Sequence, residues 1–100
     1  MSRRYSLTPA ARSDLMEIDS YLRRESPRFA ARALARLRDA MRKLAEQPGM
    51  GHLREDLADE PLRFWPVYSY LIVYRGEARP LQIVRVLHAS RDIQRLLSEC

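Results

Sequence analysis

Arg63-Phe-Trp-Pro-Val-Tyr-Ser-Tyr-Leu-Ile-Val-Tyr74 and, after a short gap, Leu81-Gln-Ile-Val-Arg-Val-Leu-His-Ala-Ser-Arg-Asp92 are the stretches whose reading decides the fold. Both are dense in β-branched and aromatic residues and read with period two. The spacing predicts strands over Leu62 to Trp65, Val67 to Tyr74 and Leu81 to Leu87, with the segment from Arg75 through Gly76 to Pro80 as the turn between the last two. Trp65-Pro66 reads as a bend or an edge, because proline cannot donate to a central ladder. Strict alternation places Tyr68, Tyr70, Ile72 and Tyr74 on one face and Leu71 and Val73 on the other, with Ile83 and Leu87 opposed to Val84 and Val86. Both faces of the expected sheet are therefore apolar.

Upstream the period changes. A short candidate strand, Arg4 to Thr8, stops at Thr8-Pro9, where Thr8 can cap a helix and Pro9 can take its first position, which needs no N–H. Ala11, Leu15, Ile18 and Leu22 then form one apolar stripe of a helix running to about Arg24, with Tyr21 at its margin. The same start signal recurs at Ser26-Pro27. It opens a second helix to about Glu46, with Ala30, Ala33, Leu34, Leu37, Ala40, Met41 and Leu44 on one arc and Arg28, Arg32, Arg36, Arg38, Arg42 and Lys43 on the rest. So short a link predicts a helical hairpin whose two stripes face a common sheet. Pro48-Gly49-Met50-Gly51 ends the second helix and begins an acidic loop holding Glu55, Asp56, Asp59 and Glu60. A last helix is expected from Ser90 or Asp92, carrying Ile93, Leu96 and Leu97. Two helices can cover only one face of the sheet, so the other is expected to be closed by the chain ends, a second copy or a partner.

At 100 residues the chain is long enough for one domain, residues 1–100, and too short for two cores. The 46% hydrophobic and 31% charged residues are those of a globular chain, with no apolar run of the ~20 residues a membrane helix needs. No signal-peptide pattern follows Arg3 and Arg4, and the one cysteine, Cys100, allows no internal disulfide; a reducing, cytoplasmic setting is expected. With only His52 and His88 beside it, no metal cluster is expected. Of 18 basic residues 17 are arginine, and the net charge is +5. Residues 1–48 carry eleven basic against six acidic groups, residues 49–100 seven of each, so the whole excess lies in the first half. Arginine's planar fork suits phosphates and carboxylates, which makes a nucleic acid, a nucleoprotein or an acidic protein segment the expected partner.

His88, Arg91 and Asp92 at the end of the last strand combine a group that titrates near neutrality with an anion binder. The competing structural reading has Asp92 at the N-terminus of the last helix, Arg91 paired to an acid and His88 ending the strand. No glycine-rich phosphate loop and no nucleophile–base arrangement is legible. The architecture expected from the residues is α+β: an N-terminal strand, a helical hairpin packed on a mostly antiparallel sheet, and a short C-terminal helix.

The segments Arg63 to Tyr74 and Arg85-Val-Leu-His-Ala-Ser-Arg-Asp92, with Gln47-Pro-Gly-Met-Gly51 as a weaker piece, resemble the ParE branch of the RelE/ParE toxins. These are small bacterial proteins held inactive by an antitoxin encoded beside them, and the resemblance covers nearly the whole chain. It implies the toxin of a type II toxin–antitoxin system that inhibits DNA gyrase, stalls it on cleaved DNA and is neutralised by a ParD-like antitoxin. On that reading the chain needs no cofactor and meets DNA only through gyrase or the antitoxin. The ribosome-dependent RNases of the superfamily are metal-free and resemble clusters of Lys and Arg with a proton-transferring aromatic residue near the C-terminus. This chain has Lys43 alone and no tyrosine after Tyr74, Leu97 standing roughly where that tyrosine would fall. Always-protonated guanidinium groups are poor bases, so RNA cleavage of the RelE type is the second reading and a gyrase inhibitor rather than an enzyme is expected. A non-toxic, antitoxin-binding transcriptional co-regulator is the third. The expected target-binding residues are Arg63, Arg85, His88 and Arg91. Those expected to bind the antitoxin are Arg32, Arg36, Tyr68, Tyr70 and Tyr74.

Overall fold

The computed structural model describes residues 4–58 and 60–98; Asp59 and Cys100 lie outside them. The chain runs β1 (Tyr5–Leu7), α1 (Pro9–Glu25), α2 (Pro27–Glu46), a 3-10 turn (Pro48–Met50), β2 (His52–Leu53), β3 (Arg63–Val67), β4 (Tyr70–Arg75), β5 (Leu81–His88) and α3 (Ile93–Ser98). One five-stranded sheet has the order β1-β5-β4-β3-β2, antiparallel except for the parallel pair β1 and β5. The α+β expectation holds, and the place of the first strand, which the sequence leaves open, is the edge beside β5.

Thr8 shows why the helices start where they do. Its hydroxyl accepts from the Ala11 N–H at 3.0 Å and donates to the Val84 carbonyl at 2.7 Å. One side chain thus caps α1, worth about 1 kcal/mol, and ties it to β5. Ser26 is the only residue between the helices and serves both: its N–H bonds the Leu22 carbonyl at 2.9 Å, and its hydroxyl accepts from the Phe29 N–H at 3.2 Å. The hairpin lies on one face of the sheet, where Ala30, Ala33, Leu34, Leu37, Met41 and Leu44 of α2 pack with Tyr70, Ile72, Tyr74, Leu81, Ile83 and Val86.

Three strand expectations are corrected. The strand predicted over Val67 to Tyr74 is broken, for Tyr68 and Ser69 form the two-residue turn between β3 and β4 and Val67 pairs with Tyr70. Tyr68 therefore leaves the alternation that Tyr70, Ile72 and Tyr74 keep. The strand predicted to stop at Trp65 runs on through Pro66 to Val67, so the bend is absent, while the edge expected of Trp65-Pro66 is seen: Pro66 pairs with Leu71 beyond the reach of β2, which pairs only at Arg63 and Phe64, and its missing N–H faces the unpaired edge. In β5 a register shift opposite Val73 and Tyr74 adds a residue. Alternation slips by one there, so Ile83 and Val86 face the hairpin while Val84 and Leu87 face the other side.

The second face is not left open. Leu62, Phe64, Val73, Val84, Leu87 and Ile93 form a second, smaller core, flanked by Leu57, Ala58, Leu71, Leu96 and Leu97. The loop between β2 and β3 and α3 thus supply the cover. Of the three expected closures, the chain ends, a second copy or a partner, the chain itself supplies this one, since Val73 and Phe64 are already sealed.

Candidate functional site

The exposed apolar surface lies at one end of the sheet. Of the five large exposed hydrophobic residues described, Tyr21, Phe29 and Tyr68 line a groove there, Met16 lies on α1 in a neighbouring depression that shares Glu17 and Tyr21 with it, and Leu53 is on β2. The groove, about 630 Å³, has α1 as one wall (Asp14, Glu17, Ile18, Tyr21, Leu22). Phe29 at the start of α2, the turn Tyr68 to Tyr70 and the end of β5 with Ser90 and Arg91 complete it. The sheet builds this end through the pair Tyr70 and His88 and through the Ala89 N–H, which donates to the Ser69 carbonyl at 2.7 Å.

Within the groove, Tyr70 and His88 meet edge to face with ring centroids 5.4 Å apart. Burial, with the nearby Tyr21 adding to it, pushes the Tyr70 phenol pKa up, keeping it a neutral hydrogen-bonding group. The Ser90 N–H donates to His88 Nδ1 at 3.1 Å, and the Ser90 hydroxyl lies 2.7 Å from the same nitrogen. An N–H donor at Nδ1 requires a lone pair there, so the imidazole carries its proton on Nε2, the atom left for a ligand. Arg91 is exposed and its guanidinium has no ion pair among the described residues, while Asp92 accepts from the Arg95 N–H at 3.3 Å at the start of α3. The expected pairing of Arg91 to an acid is absent there; the expected capping by Asp92 is seen.

Of the residues the sequence singled out, the groove gathers Tyr68, Tyr70, His88 and Arg91. Arg32 and Arg36 lie exposed on α2, and the Arg36 guanidinium sits 5.2 Å above the centre of the Tyr68 ring. Three others sit differently. Arg63 opens β3 at the far end of the strand, ~13 Å from Val67 at 3.3 Å per residue, where Nη1 donates to the Gly51 carbonyl at 2.9 Å. Tyr74 is fully buried at that same end, its hydroxyl donating to the Pro48 carbonyl at 2.7 Å and accepting from the Gly51 N–H at 2.8 Å. Arg85, expected to bind the target, is instead mostly buried at the β5 irregularity. Its Nε and Nη2 donate to Asp14 Oδ2 and Oδ1 at 2.7 and 2.8 Å. The same Oδ2 accepts from the Val86 N–H at 3.0 Å. Asp14 therefore satisfies an edge of β5 that β1, paired only as far as Ile83, does not reach.

Sequence reading missed Asp14, Glu17 and Phe29. Asp14 had a signal: it lies three residues after Ala11 and four before Ile18, on the buried stripe, where a carboxylate implies a buried partner. Phe29 also had one, as a large aromatic residue off the apolar arc of α2.

Burial also pushes the Tyr74 hydroxyl pKa up, opposed by the Gly51 N–H and by Arg63. A phenol harder to ionise in the folded state than in the unfolded chain makes no difference below the unfolded pKa of about 10. Above it the unfolded chain alone loses the proton, and stability falls. Urea titrations at stepped pH should show this decline above about pH 10, with a shallower slope in Tyr70→Phe; an unchanged slope would contradict the assignment.

A family model described as the ParE toxin of type II toxin–antitoxin system, parDE, matches residues 5–93. Among solved structures, a chain described as "Chromosomal ParDE TA system from P. aeruginosa" matches with a TM-score of 0.69 and 20% sequence identity, over 87% of this chain and 96% of that one. At that identity the likeness is one of fold. No curated protein matches.

Proposed function

Since the chain belongs to the ParE toxin family of type II toxin–antitoxin systems, we propose that its target is DNA gyrase and that a ParD-like antitoxin neutralises it by occupying the groove at the sheet end. The observation that carries this reading is the gathering of His88 and Arg91 into one groove with Tyr68 and Tyr70. A target gripped through His88 Nε2 and the Arg91 fork, and an antitoxin held by the aromatic rim and by Arg32 and Arg36, would compete for the same space. The charge of the hairpin half favours an acidic antitoxin segment and speeds its arrival. Arg85, bonded to Asp14 of the groove wall, supports the site from behind, whereas Arg63, bonded to the Gly51 carbonyl, lies at the opposite end of the sheet.

The sequence departs from the RNase branch in having no lysine beyond Lys43 and no tyrosine after Tyr74, and no second reading is needed. The test pairs a supercoiling assay with an antitoxin-binding assay using the product of the neighbouring gene. Wild-type protein should inhibit gyrase and accumulate cleaved DNA, and preformed antitoxin complex should do neither. The His88→Ala/Arg91→Ala variant should lose about tenfold or more of the inhibition, equivalent to about 1.4 kcal/mol, while antitoxin affinity changes far less. A wild-type chain that leaves gyrase untouched but cleaves mRNA on ribosomes would overturn the proposal.

A further inference from the structure

Tyr68 is the one non-glycine residue with positive φ, 54°, among the described residues. It takes the first of the two turn positions between β3 and β4, where a turn with a single left-handed residue calls for glycine. A tyrosine there is strained, because its Cβ crowds the following carbonyl. The strain secures no core, for the residue is 49% exposed. Its ring lies 5.9 Å from that of Phe29, tilted at 54°, and under the Arg36 guanidinium. Phe29 and Arg36 are themselves exposed. Three solvent-facing side chains from two elements thus form a stack that covers nothing, on a turn that glycine or asparagine would make with less strain.

We infer that this stack of Phe29, Tyr68 and Arg36 is the anchor for an acidic, partly apolar segment of the antitoxin, an inference that rests on the reading above and assigns its tightest contact. The rings offer a rigid apolar surface. A guanidinium held over a ring keeps its N–H fork free for a carboxylate. Tyr and Arg are the residue types that dominate interface energetics when they form such a cluster. Charge selects the occupant. A second copy would bring its own +5 against this one, whereas an acidic peptide meets Arg36 and, one turn earlier on α2, Arg32.

The experiment measures antitoxin dissociation and thermal unfolding for the full chain and for Tyr68→Asn and Tyr68→Phe. Asparagine accepts the left-handed backbone, so Tyr68→Asn should melt no lower than wild type yet release the antitoxin about 30-fold faster, the size of a hot-spot loss. Tyr68→Phe should stay close to wild type in both. Unchanged release from Tyr68→Asn overturns the inference. So does a melting temperature that falls in step with faster release, which would mark a purely structural residue, or self-association that Tyr68→Asn abolishes. If the wild-type chain binds no antitoxin at all, the toxin–antitoxin reading itself fails, a result distinct from a complex that ignores Tyr68.

Discussion

Asp14→Ala should lower the unfolding free energy by about 3–5 kcal/mol, a large share of the ~5–15 kcal/mol typical of a domain. Asp14 is 7% exposed, and its carboxylate accepts three hydrogen bonds, two from Arg85 and one from the Val86 N–H. Removing it leaves a mostly buried guanidinium without its main counter-charge and an edge amide of β5 without an acceptor. Asp14→Asn keeps an acceptor for Val86 and should lose less. Replacing both partners by apolar residues, Asp14→Leu with Arg85→Met, should recover much of the loss, because the penalty comes from stranding one charge rather than from the absence of the pair. Urea denaturation of the two single variants and the double variant measures this. A loss below about 1 kcal/mol for Asp14→Ala, the size of an exposed pair, would mean that Asp14 does not hold α1 to the sheet.

Gly51→Ala should destabilise by about 2–4 kcal/mol through overpacking and a lost buried hydrogen bond. A Cβ on Gly51 would lie 2.4 Å from the Tyr74 hydroxyl oxygen and 2.7 Å from the adjacent ring carbon. That ring is fully buried and bonded on both sides of the hydroxyl, so it cannot swing away without breaking the Gly51 and Pro48 contacts that fasten the end of α2 to β4. Tyr74→Phe tests the hydroxyl alone and should cost about 1–3 kcal/mol, the penalty for leaving buried groups unpaired. The combined variant should fall short of the sum, because losing the hydroxyl removes the closest clash. If Gly51→Ala melts like wild type, the tyrosine does not fill this space.

The helices were legible nearly to the residue, and the reason is local. Thr8-Pro9 and Ser26-Pro27 act through their own neighbours, and every residue placed on the arc of α2 from Ala30 to Leu44 is buried. The strands were legible in place but less so in phase. Tyr68 reads as one more aromatic strand residue, since nothing local marks a strained turn at a bulky side chain. The slip in β5 depends on how Val73 and Tyr74 pair across the sheet, and no residue near Val84 announces it. The same limit divided the candidate site: His88 and Arg91 lie at and beyond the end of β5 and stay together, whereas Arg63, grouped with them by charge, opens β3, which runs in the same direction as β5 on the other side of β4, and so makes its contacts at the opposite end.

The sequence by itself determined the α+β class, the hairpin, its stripes and the excess positive charge of the first half, because these follow from periodicity, capping and composition within a few turns of chain. Only the tertiary structure decided that β1 lies parallel to β5, that Asp14 meets Arg85 across 71 residues, and that the loop before β3 and α3 cover the second face. It alone brought Phe29, Tyr68, Tyr70 and His88 around one groove. Each of these joins segments distant along the chain, and whether such segments meet is settled by which buried charges, edge amides and apolar faces can be satisfied together, a condition no local stretch expresses.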